Sequence, residues 1–243
     1  MNTPIQTIDG SNTLFSSKYN QHFHDLKTGA IQESLNKHVI PALTLKKDSK
    51  KLKILDICFG IGYNTFSTIY YILKNNLDIS LEIYSPELDM DLVKSLDKFI
   101  FPKEFDDIKH IINSIANKLF YEDKKIKIEV KICDAREYIK TLENIDIVYQ
   151  DAFSSEVNKE LWSVEYFKDI YKSCNKNALM TTYSISTNVR LSMYEAGFYI
   201  YEINPSGNRK QTLALKINQE INAKYIDMEL KKSRNKEAKA IYD

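Results

Sequence analysis

The stretch Lys53-Ile-Leu-Asp-Ile-Cys-Phe-Gly-Ile-Gly-Tyr-Asn64 decides the fold. Its apolar run, Lys53–Cys58, is typical of a strand that is buried in a parallel sheet. The glycines at 60 and 62 permit a tight turn and a close approach of the backbone to a ligand. Apolar residues then recur at helical spacing up to Asn75. The stretch therefore predicts the first strand, turn and helix of a doubly wound α/β fold.

The glycine pattern also limits the ligand. It is not the dinucleotide pattern Gly-x-Gly-x-x-Gly, because residue 65 is threonine, and no Gly-Lys-Ser/Thr of a phosphate-binding loop follows. Both mismatches disfavour a phosphate-rich ligand. A structural turn alone remains the alternative. If the turn binds a ligand, we expect its contacts to include Asp56, Gly60, Gly62 and Asn64.

Six further strand patterns alternate with helical ones. They are Ile79–Ser85, Ile126–Ile132, Ile145–Gln150, Ala178–Ser184, Phe198–Ile203 and Gln211–Ile217. Helices are predicted between them and before them, over Gly29–Val39, Asp91–Phe101, Phe105–Tyr121, Ala135–Leu142, Glu160–Cys174 and Asn188–Ala196. Strands that alternate with helices form a parallel sheet. The turn signal Ser206-Gly-Asn208 predicts that the last two strands form an antiparallel hairpin at its edge.

The chain divides into three predicted parts. Residues 1–50 form an N-terminal extension, residues 51–218 the α/β domain, and residues 219–243 a lysine-rich tail, helical or frayed. The domain length suits a single hydrophobic core.

Acidic residues follow the second, third and fourth predicted strands. Glu87 can accept hydrogen bonds from ribose hydroxyls, with Asp89 as the competing residue. Asp134, followed by Ala135, can accept from an adenine amino group. Since strand ends of one parallel sheet meet at one edge, these groups together favour a nucleoside-type ligand. A solvated surface acid is the alternative at each position.

The sequence Gln150-Asp-Ala-Phe153 follows the fourth strand. Asp151 can orient an amine nucleophile and take its proton. Phe153 can shield a methyl group and stack on an acceptor ring. The alternative for Asp151 is a helix cap. Trp162 is either a core residue or a base-stacking surface.

Composition excludes several classes of protein. The 243 residues carry 34 Lys and Arg against 33 Asp and Glu, so a nucleic-acid binder driven by bulk charge is not indicated. The three cysteines are far apart and form neither a disulfide framework nor a zinc pattern. No stretch approaches ~18 apolar residues, and no N-terminal signal core is present. We therefore expect a cytoplasmic protein that binds neither membrane nor metal.

The chain resembles a known family over nearly its whole length. The matching segments are Asp9-Gly-Ser-Asn-Thr13, His24, Gly29-Ala-Ile-Gln-Glu-Ser34, Cys58-Phe-Gly-Ile-Gly-Tyr-Asn64, Ile147-Val-Tyr-Gln-Asp-Ala-Phe-Ser154, Asn158-Lys-Glu-Leu-Trp162, Glu195-Ala-Gly-Phe198 and Arg209-Lys210. They resemble the methyltransferase module of the tRNA 5-methylaminomethyl-2-thiouridine biosynthesis protein, the MnmC type. The resemblance implies a Rossmann-like methyltransferase fold. That fold has a seven-stranded, mostly parallel sheet with an antiparallel terminal hairpin and an N-terminal extension over the cofactor site.

The resemblance also implies an activity. The module transfers methyl from S-adenosylmethionine to the aminomethyl nitrogen of a tRNA wobble uridine. The expected cofactor contacts are Glu33, Asp56, Gly60, Gly62, Asn64, Glu87, Asp134, Ala135 and Asp151. Asp151 and Phe153 are the expected catalytic residues, and Trp162, Arg209 and Lys210 the expected tRNA contacts. The departures from the family pattern, at Ser154–Glu156 and Lys159, fall in the acceptor-side loop.

The sequence shows only one nucleotide-type turn. We therefore expect no FAD, and the flavin oxidase of bifunctional relatives to be absent or supplied by a separate protein. Two alternative functions remain at this point. One is an aminopropyltransferase of the polyamine-synthase type, and the other a non-catalytic module that binds an adenosyl ligand or RNA.

Overall fold

A computed structural model describes residues 3–205 and 209–243 of the protein. Two short antiparallel ladders come first in the described chain. They pair β1 (Ile5–Gln6) with β2 (Asn12–Thr13), and β3 (Phe15–Ser16) with β4 (Gln21–His22). A helical segment follows, built from α1 (Ala30–Ser34), the π-helical turn Leu35–Val39 and α2 (Ile40–Leu45).

In the part of the chain that the structure describes, the main sheet has nine strands. They are β5 (Lys51–Ile57), β6 (Ser80–Glu87), β7 (Phe120–Glu122), β8 (Ile126–Ile132), β9 (Ile145–Gln150), β10 (Cys174–Thr182), β11 (Tyr199–Ile203), β12 (Gln211–Leu215) and β13 (Lys224–Tyr225). Their spatial order is β13-β11-β12-β10-β9-β5-β6-β8-β7. β8, β6, β5, β9 and β10 run parallel, whereas β12 is antiparallel to both β10 and β11.

The predicted sheet is confirmed. All seven predicted strands are present, and the last two of them form the predicted antiparallel pair. The predicted turn at 206–208 lies outside the described residues. The sequence missed β7 and β13, which extend the two edges of the sheet by antiparallel pairing. Both are short and lack a buried face, so they carry no hydrophobic alternation to detect.

The remaining helices cover the two faces of the sheet. They are α3 (Tyr63–Lys74), α4 (Met90–Lys94), α5 (Lys109–Lys118), α6 (Ala135–Ile139), α7 (Val164–Ser173), α8 (Thr187–Glu195) and α9 (Met228–Arg234). Short 3-10 turns occur at Ser95–Asp97, Lys103–Ile108 and Lys159–Leu161. Within the described residues, no helix is long and apolar enough to cross a bilayer.

Several predicted helix boundaries were wrong. The helix predicted over Phe105–Tyr121 is α-helical only from Lys109 to Lys118, because Leu119 adopts a left-handed conformation that turns the chain back into β7. The helix expected to start at Asp91 is only the one-turn α4. These ends depend on backbone turns and sheet pairing, which local hydrophobic periodicity does not report.

Two apolar layers flank the sheet. Alternate residues of β5 point to opposite faces, so Ile54 packs into one cluster while Leu55 packs into the other. The second cluster also holds Met228 and Ala238 from the C-terminal segment. This segment also contacts the domain through its backbone, since the Val164 amide donates to the Ile241 carbonyl at 2.8 Å.

The N-terminal segment fixes the start of the helix at 30–45. The Ser11 hydroxyl accepts from the Ala30 amide at 3.0 Å, and Asp9 Oδ2 accepts from the Gln32 amide at 3.1 Å. Gly29 directly precedes Ala30 and has a φ of +91°. A Cβ at this position would lie 2.0 Å from the Asp9 Cγ. The Asp9-Gly-Ser pattern is therefore a helix cap, and glycine at position 29 lets the capping carboxylate approach.

The two glycines of this cap provide a matched test. Gly29→Ala should lower the free energy of unfolding by about 3–4 kcal/mol, because it adds a steric clash to left-handed strain. Gly10→Ala should cost only about 1–2 kcal/mol, because Gly10 shares the positive φ (+84°) but has no atom within 4 Å of its Cβ position. Urea denaturation measures both. Equal losses would contradict the close contact between Asp9 and Gly29.

Candidate active site

One large cleft opens at the carboxyl ends of the central parallel strands. Its volume is about 1430 Å³. The sheet contributes the segments after β5, β6, β8 and β9, and residues 16–37 of the N-terminal part form the opposite wall. The cleft therefore lies where doubly wound sheets bind their ligands.

The glycine turn after β5 forms the floor of the cleft on one side. Gly60 lines the cleft, and its amide donates to Glu87 Oε2 at 2.8 Å. Gly62 does not line it. A Cβ on Gly62 would lie 2.4 Å from Phe66 and 2.8 Å from Phe59, so this glycine faces the core. Its positive φ of 80° serves the start of α3, so the structure favours a structural role for Gly62, and the expected cofactor contact stays a prediction.

Asp56 is also removed from the cleft wall. Its side chain is 1% exposed, and Oδ2 accepts from the Thr65 hydroxyl at 2.7 Å. Burial raises the pKa of Asp56 to about 7. These contacts favour a structural role for Asp56 over the predicted direct cofactor contact. Asp56 instead joins the end of β5 to the first turn of α3.

Glu87 is held facing the cleft by backbone amides. Besides the Gly60 amide, the amides of Leu88 and Asp89 donate to its Oε1 at 2.8 and 2.9 Å. The competing acid, Asp89, accepts from the Leu92 amide at 2.9 Å and so caps α4. Both acids line the cleft, but the geometry favours Glu87 as the acceptor beside the glycine turn.

Asp134 and Ala135 lie at the end of β8, in the same wall. Asp134 Oδ1 accepts from the Arg136 amide at 2.7 Å and so caps α6. Capping occupies one carboxylate oxygen and leaves the other available to a ligand amino group. Ala135 is buried beside it and lines the cleft.

Asp151, at the end of β9, is surrounded by polar and cationic partners. The Asn64 amide donates to its Oδ2 at 3.0 Å. Lys37 Nζ lies 3.8 Å and His38 Nε2 3.4 Å from its Oδ1. Burial alone would raise the pKa of Asp151, but Lys37 and His38 hold it well below its usual range. Asp151 is therefore a carboxylate that stays ionised.

The N-terminal helix supplies residues that the sequence analysis missed. Lys37 pairs with Glu33 at 2.5 Å as well as facing Asp151. His38 is fully buried, and its Nδ1 lies 2.7 Å from the Thr181 hydroxyl. The i,i+4 spacing of Glu33 and Lys37 was the available signal, although it is equally typical of a solvated helix face. Glu33 itself lines the cleft, as expected of a cofactor contact.

Phe153 belongs to an aromatic cluster on the cleft wall. Its ring stacks on Tyr19 with centroids 4.6 Å apart and meets Phe23 edge-on at 5.3 Å. The Gln21 amide donates to the Ser154 hydroxyl at 2.9 Å. The hairpin of β3 and β4, which contains Tyr19, thus contacts the loop that follows β9. No pattern in the sequence indicated this contact.

Trp162 is fully buried, which favours the core alternative over the expected tRNA contact. Its indole Nε1 donates to the Phe153 carbonyl at 2.8 Å, while the Tyr183 hydroxyl donates to the Ala152 carbonyl at 3.0 Å. Through this hydrogen bond, the buried Trp162 side chain stabilises the backbone of the Asp151–Phe153 loop.

Arg209 and Lys210 lie on the rim of the cleft and are mostly exposed. Arg209 pairs with Asp25 at 2.6 Å, and Lys210 with Glu202 at 2.9 Å. The two cations are placed to meet a ligand entering the cleft. Their acidic partners offset part of their charge.

The cleft fits an adenosyl ligand. One wall of the cleft carries three suitable groups. They are Gly60, where the backbone is open to a ligand, the oriented carboxylate of Glu87 and the second carboxylate oxygen of Asp134. Among the described residues, no group of three or more His, Cys, Asp or Glu could hold a metal ion.

Comparison with known proteins decides the family. Residues 104–217 match the family described as S-adenosyl-L-methionine-dependent methyltransferase. The crystal structure of MNMC2 from Aquifex aeolicus superposes with a TM-score of 0.81 and 31% sequence identity, covering 97% of this chain and 75% of that chain. The chain belongs to the MnmC-type methyltransferase family. The fold and the resemblance expected from the sequence are thereby confirmed.

Curated relatives of this MnmC-type methyltransferase are more distant. The uncharacterized protein MJ0670 of Methanocaldococcus jannaschii is 29% identical over 217 residues, which cover 87% of this chain and 59% of that protein. The tRNA 5-methylaminomethyl-2-thiouridine biosynthesis bifunctional protein MnmC of Campylobacter fetus subsp. fetus is 24% identical over 205 residues, covering 80% of this chain and 33% of that protein. The chain thus spans less than two thirds of the length of either relative.

Glu87 provides a test of the cofactor end. Glu87→Gln should weaken S-adenosylmethionine binding by about 10-fold or more, because charge-assisted hydrogen bonds contribute about 1.5–3 kcal/mol. Asp89→Asn serves as the control, since that carboxylate caps α4. Calorimetry on folded variants measures both affinities. An unchanged affinity for Glu87→Gln would remove Glu87 from the cofactor site.

Proposed function

We propose that this protein transfers methyl from S-adenosylmethionine to the aminomethyl nitrogen of 5-aminomethyl-(2-thio)uridine at the tRNA wobble position. The product is 5-methylaminomethyl-(2-thio)uridine. The proposal combines the membership of the chain in the MnmC-type family with the geometry of the cleft. The names of the bifunctional relatives refer to the biosynthesis of this nucleoside.

The observation that carries the proposal is the position of the ionised Asp151. Through Asn64 it is tied to the helix that follows the glycine turn, on the cofactor side. Two residues further along its own loop lies Phe153, with the aromatic rings of Tyr19 and Phe23. A carboxylate between a nucleoside site and an aromatic wall is placed to hold an amine against a bound methyl donor, with a base stacked nearby.

When bound, S-adenosylmethionine would supply an electrophilic methyl group: the amine lone pair would form the new N–C bond, and the electrons of the C–S bond would stay on sulfur. Asp151 accepts a hydrogen bond from the amine and aligns it. It also stabilises the positive charge that develops on nitrogen.

The low pKa of Asp151 refines its role. The sequence suggested that Asp151 takes the amine proton, but a carboxylate that stays ionised holds a proton poorly. We propose that the proton of the product passes to water and that Asp151 orients the nitrogen. Phe153 and Tyr19 would support the uracil ring.

The tRNA would approach over the rim that carries Arg209 and Lys210. We propose that the reaction takes place in the cytoplasm, on an aminomethyl group that has already been exposed. Any flavin oxidase step that precedes it would belong to a separate activity, and we propose no FAD or metal for this reaction.

The deciding experiment mixes the protein with methyl-labelled S-adenosylmethionine and three acceptors in parallel. These are tRNA carrying aminomethyl-uridine, fully modified tRNA, and a polyamine. Label should enter the wobble nucleoside of the first tRNA alone, as read by mass analysis of its nucleosides. Decarboxylated S-adenosylmethionine with the polyamine tests aminopropyl transfer, and a product there would favour the polyamine-synthase alternative. Cofactor binding without any turnover would favour the non-catalytic module.

Asp151 gives a second, independent test. Asp151→Asn keeps the shape but removes the charge, and it should slow methyl transfer in the bound complex by about 10²-fold or more. S-adenosylmethionine affinity should stay nearly unchanged, the reverse of the pattern expected for Glu87→Gln. Single-turnover rates and calorimetry separate the two. Normal turnover with lost cofactor binding would make Asp151 a cofactor ligand instead.

A further inference from the structure

Lys37 occupies an unusual position in the cleft. Its side chain is only 18% exposed and lines the acceptor side. The ammonium lies 2.5 Å from Glu33 Oε1, 3.8 Å from Asp151 Oδ1 and 4.6 Å from the centre of the Tyr183 ring. Glu33, Asp151 and the ring of Tyr183 thus hold the Lys37 ammonium in place beside the Asp151 carboxylate.

The surroundings keep this lysine charged. Burial alone would lower the pKa of Lys37, but Asp151 and Glu33 outweigh burial and raise it. Lys37 is therefore a permanent cation rather than a proton acceptor. Lys37 and Asp151 interact with each other and with several charged or titratable groups, which include His24, Asp25, Glu33, His38, Asp56, Cys58 and Tyr183.

A primary amine poses a specific problem for a site of this kind. In water such an amine is mostly protonated at neutral pH, as lysine is. An isolated carboxylate would bind it as the ammonium ion, whose nitrogen has no lone pair with which to attack. A site that relied on Asp151 alone would therefore hold its acceptor in the unreactive form.

A neighbouring cation changes this balance. A positive charge within about 4–6 Å of an amine disfavours the protonated form and lowers the amine pKa by about 1–3 units. Because Lys37 already neutralises part of the field of Asp151, an acceptor amine placed at Asp151 gains less from carrying a proton. The carboxylate can still accept an N–H hydrogen bond from the neutral amine.

We propose that Lys37 is an electrostatic positioning residue that makes the site select the neutral form of the acceptor amine. The inference rests on the proposed function. Before attack the acceptor ammonium releases its proton to water, which leaves the nitrogen lone pair free to form the N–C bond. Lys37 neither gives nor takes a proton in this step, and it acts through Asp151.

The test is the pH dependence of methyl transfer. Single-turnover rates are measured at saturating S-adenosylmethionine and aminomethyl-uridine tRNA between about pH 6 and pH 10. For Lys37→Met, the rise of the rate with pH should move to higher pH by about 1–2 units, and the rate should recover at the alkaline end. Lys37→Arg keeps the charge and should return the curve towards that of the wild type.

Two further variants sharpen the result. Glu33→Gln leaves the charge of Lys37 less compensated, so its curve should move in the opposite direction, to lower pH. Lys172→Met removes a lysine that pairs with Asp169 at 3.2 Å on an exposed face of α7. It is the matched control and should overlay the wild type. Circular dichroism and thermal melting verify that each variant is folded.

Each outcome either supports or overturns the proposed role of Lys37. Opposite shifts for Lys37→Met and Glu33→Gln support the inference. A loss of rate that is equal at every pH, or one that Lys37→Arg does not restore, assigns Lys37 a merely structural role and overturns it. Coincident curves for wild type and Lys37→Met also overturn it while leaving the proposed function intact. No transfer by the wild type at any pH overturns the proposed function itself, and the inference with it.

Discussion

A negative charge that is withdrawn from water needs partners that stabilise it. In this protein the partners of the Asp151 carboxylate come from both the α/β domain and the N-terminal helical segment, and so they join these two parts at the active site. The carboxylate stands at the end of β9 with little exposure. Asn64 from the α/β domain and Lys37 and His38 from the N-terminal helix all face it. Removing one partner from such a buried group is costly because the charge is left unpaired. The N-terminal part is thus bound to the sheet by electrostatics as well as by apolar packing.

This constraint explains features that are remote from the cleft. Lys37 reaches Asp151 only if its helix starts at the right place, and the Asp9-Gly-Ser cap with Gly29 sets that start. The π-helical turn at Leu35–Val39 contains both Lys37 and His38, and such turns are frequent at functional sites. The charge beside Asp151 therefore depends on the geometry of the helical segment, which in turn depends on the cap.

The cleft also shows a division of labour. On the cofactor side, carboxylates are oriented by backbone amides: Glu87 by the glycine turn and Asp134 by the start of α6. On the acceptor side, Asp151 is oriented by side chains, one of them cationic. A carboxylate that backbone amides hold in place suits the neutral hydroxyl and amino groups of a nucleoside, which donate to it. A carboxylate paired with a cation suits a group whose charge changes during the reaction.

The sequence by itself determined the α/β class, the seven principal strands and the strand ends at which Gly60, Glu87, Asp134 and Asp151 meet. These follow from local periodicity and from the rule that parallel strands end at one edge. Only the tertiary structure decided which way the side chains face. Gly62 and Asp56 belong to the same motif as Gly60, yet Gly62 lies against Phe59 and Phe66, and Asp56 is buried beside Thr65. For Trp162 the sequence left a core position and a base-stacking surface as alternatives, and only the packed structure shows that the indole is buried. Lys37 was missed because a cation set against a distant carboxylate is a contact between residues far apart in the chain, which no local pattern records.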